Sequence, residues 1–225
     1  GGAFYFEMPK IVGVHLVGEL NPWVTAKDVI LEMLRRLTVR GGLRRIIEYY
    51  GPGAKTLTVP DRSTITNMGA ELGATTSIFP SDEVTKDYFI RQERVHDWKP
   101  VEADLDAVYD ENLEVNLSEL EPLVAAPGSP DNIKTVREVE GTPVQQSCIG
   151  SCVNSNYRDL LITAHILKGK KVHPNVSLHV NPGSRQVLET VTRAGAIYDI
   201  IQAGARLIEN ACNGCIGMGS APASN

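Results

Sequence analysis

Long apolar runs are missing from this 225-residue chain, and none reaches the roughly 18 residues at which a stretch begins to read as a membrane-crossing helix. No signal-peptide pattern opens it, so the expected location is the cytoplasm or, in a eukaryote, the mitochondrial matrix, with no membrane partner. Cysteine is scarce, at four residues. That excludes a disulfide-dense secreted scaffold and suits a reducing compartment, where thiols stay available to a metal. A basic surplus is also missing: the net charge is -5, and nothing resembles a basic, aromatic-interleaved surface, so nucleic acid is not an expected partner. The acidic excess is local. Residues 102–140 hold eleven acids against two bases, whereas residues 141–225 hold four against seven. The cysteine-bearing half is therefore mildly basic, a balance suited to anionic ligands. No internal repeat or low-complexity tract is present. The histidines His15, His96, His165, His173 and His179 show no metal-ligand spacing and read as structural or solvated.

What remains is an ordinary globular composition, 42% hydrophobic, long enough for one or two domains. A β-branched run predicts a strand over residues 10–17. Thr25 can cap a helix whose stripe of Val29, Ile30, Met33, Leu34 and Leu37 faces a core, with a stop at Gly41-Gly42. A short helix over 43–50 and a strand over 55–59 follow. The next helix, capped by Asp61, carries Asn67 and Glu71 four residues apart on one face and ends at Gly73. A strand over 74–79 and a helix over 81–93 come next. The pattern weakens after Tyr109, and Ala125-Ala126-Pro127-Gly128-Ser129-Pro130 is the strongest linker signal, so the domain boundary is expected there. Beyond it, strands near 144–149, 176–180 and 206–208 alternate with helices. Such alternation predicts an α/β fold with mainly parallel sheets.

Two stretches concentrate the chemistry. Gly150-Ser151-Cys152-Val153-Asn154-Ser155 follows one predicted strand, and Glu209-Asn210-Ala211-Cys212-Asn213-Gly214-Cys215-Ile216-Gly217-Met218-Gly219 follows another. Ligands gather outside the carboxyl ends of strands in open α/β sheets, so both stretches are candidate site loops. Two thiolates three positions apart, Cys212 and Cys215, can chelate one metal centre. A zinc ribbon would place its second pair closer than Cys152 stands, and a redox dithiol would not need Cys152. On spacing alone, an iron–sulfur centre, zinc, a redox dithiol and buried inert cysteines all remain open. Cys148, inside a predicted strand, reads as buried and inert.

Gly-Ser-Cys-Val-Asn-Ser at 150–155 resembles the Gly-Ser-Cys-Thr-Asn-Ser motif of the aconitase family of hydro-lyases, with Val153 for threonine. Ala-Cys-Asn-Gly-Cys-Ile-Gly at 211–217 is similar to that family's second cysteine segment. Thr66-Asn67-Met68-Gly69-Ala70-Glu71, followed by Gly73-Ala74-Thr75-Thr76, resembles a helix of its middle domain. The resemblance runs over essentially the whole chain. It implies three-layer α/β/α domains: an aconitase-like middle domain over 1–126 carrying Asn67 and Glu71, and an incomplete aconitase-like domain over 131–225 carrying the cluster cysteines. It implies a 4Fe-4S cluster held by Cys152, Cys212 and Cys215, with one iron left open to act as a Lewis acid. Asn67 would neighbour the cluster, and Glu71 would stand near the departing hydroxyl. The family's other histidine, aspartate, arginine and serine segments have no match here, so the chain reads as an internal fragment that works with the remaining domains of the same enzyme. The implied substrate is a small tricarboxylate or dicarboxylate. Asn154-Ser155 after Cys152-Val153 favours citrate and isocitrate interconversion through cis-aconitate. An isopropylmalate or homoaconitate dehydratase large subunit is the alternative, and an RNA-binding iron sensor is the non-enzymatic one.

Overall fold

The computed structural model describes residues 2–218; the side chain of Cys215 and everything from Gly219 onward, including the last residue of the second cysteine stretch, lie outside the described residues. The chain divides into two compact units, Gly1–Glu140 and Gly141–Asn225.

The first unit is built on a parallel sheet. The β-branched run forms β1 (Lys10–Val17), and Val12, Val14 and Leu16 point to one face and are completely buried. Helix α1 (Ala26–Leu37) follows. Its start is tied down by Asp28, whose Oδ2 accepts from the Thr25 amide (2.7 Å) and hydroxyl (3.0 Å). The next segment, Arg45–Tyr50, is strand β2 and not the expected helix. Its pairs Ile46-Ile47 and Tyr49-Tyr50 mimic helical spacing, but parallel pairing with β1 buries only Ile47 and Tyr49 and leaves their neighbours half-exposed. The expected strand at 55–59 is also absent. Pro52 to Thr56 form a tight 3-10 turn, and α2 (Val59–Asn67) begins at once, capped by Thr58 with Asp61 as the reciprocal partner.

Strand β3 (Thr76–Ile78) and helix α3 (Glu83–Arg91, capped by Asp82) follow the sequence reading. The weakly patterned acidic region supplies a further strand, β4 (Glu111–Asn116), which pairs in parallel with β1 through Leu113↔Val14 and Val115↔Leu16. The sheet order is β3-β2-β1-β4. The expected linker at 125–130 lies inside this unit, as the loop of an antiparallel hairpin between β5 (Leu123–Ala125) and β6 (Ile133–Thr135). Its Pro and Gly residues make a turn closed by Ala126 N–H to Asn132 O (2.8 Å) and Asn132 N–H to Ser129 O (3.0 Å). The division between units falls after Glu140 instead.

The second unit runs β7 (Gln146–Ile149), α4 (Tyr157–Leu167), β8 (Ser177–Val180), α5 (Arg185–Arg193), α6 (Ala196–Gln202) and β9 (Arg206–Leu207). Its three strands are parallel, in the order β7-β8-β9. Leu178 and Val180 from the central strand bury against Leu160, Ala164, Val191, Ile197 and Ile200 of the three helices. Both units are thus α/β, parallel sheets flanked by helices.

Candidate functional site

Parallel strands leave their carboxyl ends at one edge, and in the second unit all three of the following loops meet there. The first cysteine stretch leaves β7 and the second leaves β9. Between them, Asn181-Pro182-Gly183-Ser184 leaves β8 and binds both. The Asn181 amide donates to Ile149 O (2.8 Å), the Asn181 side-chain amide donates to Glu209 O (3.1 Å), and the Gly183 amide donates to Ser155 O (2.9 Å). The packing is close enough to require glycine at two places. A Cβ on Gly150 would lie 2.7 Å from the Asn181 Cβ, and one on Gly183 would lie 2.8 Å from Ser151 O. Helix α4 begins directly after the first stretch. Asn156 caps it by accepting from the Asp159 amide (3.0 Å).

This framework brings two of the predicted ligands together. The Ser151 hydroxyl lies 3.8 Å from the Cys152 sulfur and 3.7 Å from the Cys212 sulfur. One hydroxyl carries one hydrogen, so it donates to one sulfur at a time. Cys152 and Cys212 are exposed at the strand ends. Cys215 sits in the single turn Gly214–Ile216, closed by Gly217 in the left-handed region (φ 72°); its side chain is outside the described residues. Two soft thiol donors converging at an open loop edge, with a third cysteine in the adjoining turn, fit a thiolate-held metal centre. Two buried oxygens within these stretches, Ser155 Oγ and Asn210 Oδ1, have no hydrogen-bond partner among the described residues.

Cys148 departs from the sequence reading: it is exposed and not buried. It stands on β7, and a Cβ on Gly214 would lie 2.9 Å from its sulfur, so the thiol packs against the turn that carries Cys215. The neighbouring protein atoms still desolvate it enough to push the thiol up from its ordinary value. His179, paired in register with Cys148, is buried and shares a 2.6 Å hydrogen bond between Nε2 and the Ser177 hydroxyl. Burial, aided by the Arg206 charge, holds its pKa below the usual range.

The other two predicted residues belong to the first unit. Helix α2 ends at Asn67 and passes into a 3-10 turn, Met68–Ala70, with Glu71 as its cap. The expected continuous helical face carrying both residues does not form. The turn tightens because Glu71 N–H bonds to Met68 O (3.1 Å) and Gly73 N–H to Ala70 O (3.0 Å), while Gly69 lies so close to Ser77 that a Cβ would sit 2.3 Å from its hydroxyl oxygen. Asn67 ends exposed and Glu71 half-buried. One carboxylate oxygen of Glu71, Oε2, is fully buried without a hydrogen-bond partner among the described residues. Sequence reasoning missed Ser151 and Asn181 as the groups that join the two cysteine loops. The available signal was a turn, Asn181-Pro182-Gly183-Ser184, placed after a third strand of the same sheet.

A parallel α/β unit brings two thiols together at its strand ends, no group of three potential ligands meets among the described residues, and the family follows from comparison with known proteins. The aconitase (aconitate hydratase) family model matches residues 1–143 and 132–225, and the chain belongs to the aconitase family. It is similar to 3-isopropylmalate dehydratase large subunit 2 of Rubrobacter xylanophilus, 38% identical over 216 residues that cover 96% of this chain and 51% of that protein. It is 39% identical over 239 residues to the mitochondrial homocitrate dehydratase of Saccharomyces cerevisiae, covering 97% of this chain and 30% of that protein. An aconitase–ribosomal protein fusion of Schizosaccharomyces pombe is 39% identical over 234 residues, 94% of this chain and 25% of that one. A solved structure, holo aconitase X of Thermococcus kodakaraensis, aligns at a TM-score of 0.46 with 17% identity over 91% of this chain and 44% of that one. The chain spans about half the length of the isopropylmalate dehydratase subunits it matches.

Membership of the hydro-lyase family therefore stands, and the relatives, prominent among them dehydratases of isopropylmalate and homocitrate, support the dehydratase alternative better than the expected citrate and isocitrate interconversion. The geometry explains why Asn154-Ser155 was a poor guide to substrate. Ser155 is 0% exposed, and its carbonyl serves the Gly183 amide, so Ser155 helps to hold the loop.

Proposed function

We propose that this chain is part of a dehydratase of the isopropylmalate type, which removes water from a hydroxy-dicarboxylate and adds it back at the neighbouring carbon. The observation that carries the reading is the meeting of the Cys152 and Cys212 sulfurs on one hydroxyl, that of Ser151. Cys152, Cys212 and Cys215 would hold a 4Fe-4S cluster, three thiolates for four irons. When bound, that group supplies a Lewis acid that polarises the substrate's hydroxyl and carboxylate.

The chain's own residues contribute orientation and proton handling. Asn181 and Ser151 fix the two cysteine loops to one another, so the thiolates are arranged before any metal arrives. Glu71, one of whose carboxyl oxygens is buried without a partner among the described residues, would in its protonated form donate to the departing hydroxyl as the carbon–oxygen bond breaks, leaving a carboxylate and water. Asn67, exposed at the end of α2, would neighbour the bound cluster and substrate. The relatives are named large subunits, and a small-subunit partner that completes the enclosure is part of the proposal.

The test uses the full-length protein, with its small subunit where one is encoded, and follows the unsaturated product by ultraviolet absorbance. The expected result is a kcat/KM for 3-isopropylmalate at least about tenfold above that for citrate, the order of discrimination an apolar substituent gives. Higher kcat/KM for citrate would overturn the substrate assignment, and no turnover of any hydroxy acid by the iron-loaded protein would overturn the activity.

A further inference from the structure

The parallel strands β1, β2 and β4 of the first unit all begin at one edge of their sheet, and the segments that lead into them meet solvent there. The lead into β4 is exposed along its whole length from 101 to 108, so it adds nothing to the core, and Leu105 at its tip is fully exposed. It is nevertheless fixed. At its start Val101 and Ser81 exchange backbone hydrogen bonds (2.8 and 3.2 Å), and at its tip the Ala107 amide closes a turn on Asp104 O (3.0 Å). At its exit the Asp110 amide donates to Ile11 O (2.9 Å), and Asp110 Oδ2 accepts from the Ile11 amide (2.7 Å). Tyr109 packs so closely on Gly13 that a Cβ there would lie 2.6 Å from its ring. A loop held at both ends presents Val101, Leu105 and Val108 with little freedom left to lose on binding. Its charge has one sign: Glu102, Asp104 and Asp106 alternate with apolar residues, and no base stands between 100 and 110.

The lead into β2 is the counterpart. Arg40, Leu43 and Arg44 are exposed, on a corner held by the Gly42 amide donating to Leu72 O (2.8 Å) and the Arg45 guanidinium donating to Gly41 O (2.8 Å). Phe6 and Met8 are exposed on the lead into β1. Strand β1 lies between β2 and β4, so the acidic loop and the basic corner spring from strands about 10 Å apart. The ion pairs at this edge join Lys10 and Arg45 to Glu111, and Arg44 to Glu7 on the surface; Glu102, Asp104 and Asp106 enter none among the described residues.

We infer that this edge binds a second copy of the chain about a two-fold axis. With the axis normal to the sheet at the start of β1, a half-turn exchanges the β2 and β4 sides. Each acidic loop then meets the basic corner of the other copy, and the exposed apolar side chains meet nearer the axis. A two-fold interface must be self-complementary, and this edge carries both halves of the match. Apolar groups at the centre with charges around them are the usual anatomy of an interface. Segments 2–8, 38–44 and 101–108 offer about the twenty residues a side that a standard interface uses. The inference concerns assembly and is independent of the dehydratase reading.

Sedimentation velocity of the full-length protein, with its small subunit where one is encoded, counts the copies of this chain. Two copies are expected at micromolar concentration. Asp104→Lys with Asp106→Lys, and separately Arg40→Glu with Arg44→Glu, should each raise the dimer dissociation constant at least about tenfold, because like charges then face one another. All four side chains are exposed, so folding should be unaffected. Mixing the two variants distinguishes this interface from any other: opposite charges then meet at both contacts, and a mixed dimer should form with close to wild-type affinity. A single copy in wild type, a dimer indifferent to both charge reversals, or a mixture that stays monomeric would each overturn the inference.

Discussion

Glu71 and Arg62 are both charged residues close to a core, and their surroundings assign them opposite roles. Arg62 is 4% exposed and spends every donor group. It forms a two-pronged ion pair with Asp82 (2.8 Å for each contact) and donates to the carbonyls of Leu57, Ala54 and Pro80. Burial alone would raise the Asp82 carboxyl, but the Arg62 hydrogen bonds and charge win and hold it below the usual carboxylate range. Because the folded pKa is depressed, the pair's contribution is present above the unfolded value, near 3.9, and is lost as pH falls through the folded one. Asp82→Asn should therefore cost about 3–5 kcal/mol at pH 7, the cost of stranding a buried charge. Denaturant titrations should show the gap to wild type narrowing below about pH 4, and an equal gap at pH 7 and pH 3 would contradict the pairing. Glu71 has no such partner, so its charge is available to a ligand. Glu71→Gln in the full-length enzyme should lower kcat by at least about tenfold, toward the 10²–10⁴ typical of a proton-transfer group, with iron content unchanged. Unaltered kcat would return Glu71 to an ordinary helix-end carboxylate.

Among the elements, those with a local cause were legible in the sequence. Strand β1 came from its β-branched run, α1 from Thr25 and its apolar stripe, and α5 from Ser184, whose hydroxyl accepts from the Val187 amide (3.1 Å). Elements whose cause is tertiary were not. Strand β2 carries a helix-like pattern because its second face is also occupied: Tyr50 stacks on Tyr109 at 5.1 Å and meets the His15 ring at a tilt, also at 5.1 Å. Strand β4 is polar and short, and its pairing with β1 gives it its identity. The hairpin between β5 and β6 resembled a linker because a tight turn and a flexible connector use the same residues. In the candidate site, the two cysteine loops were legible as motifs, but the loop after β8 that joins them was not, since its role exists only once three strands lie side by side. Gly183 tests that role. Alanine there would push against two backbone carbonyls, Ser151 O at 2.8 Å and Ser155 O at 2.9 Å, neither of which can rotate away. Gly183→Ala should cost about 1–3 kcal/mol in a thermal or denaturant melt, the usual range for overpacking, and should lower retained iron. Full iron retention at wild-type stability would show that the loop does not brace the thiols.

On the scale of the molecule, each unit is a parallel α/β layer with its own core, the first carrying Asn67 and Glu71 and the second the cysteines. The chain spans about half the length of its dehydratase relatives, so the activity proposed belongs to the longer protein. The 225-residue chain alone should show no detectable turnover of 3-isopropylmalate or citrate in the absorbance assay, and turnover near the full-length rate would contradict that.

The central claim is that three particular thiols, gathered from the ends of β7 and β9, hold one iron–sulfur centre, while the fourth does not. Iron and acid-labile sulfide analysis of four single serine variants of the full-length protein tests it most directly. Cys152→Ser, Cys212→Ser and Cys215→Ser should each lose both iron and sulfide. Cys148→Ser should keep them, because its sulfur only packs beside Gly214 and is not among the motif positions. Loss of the cluster in Cys148→Ser together with its retention in Cys152→Ser would contradict the account and move the metal centre to a different set of ligands.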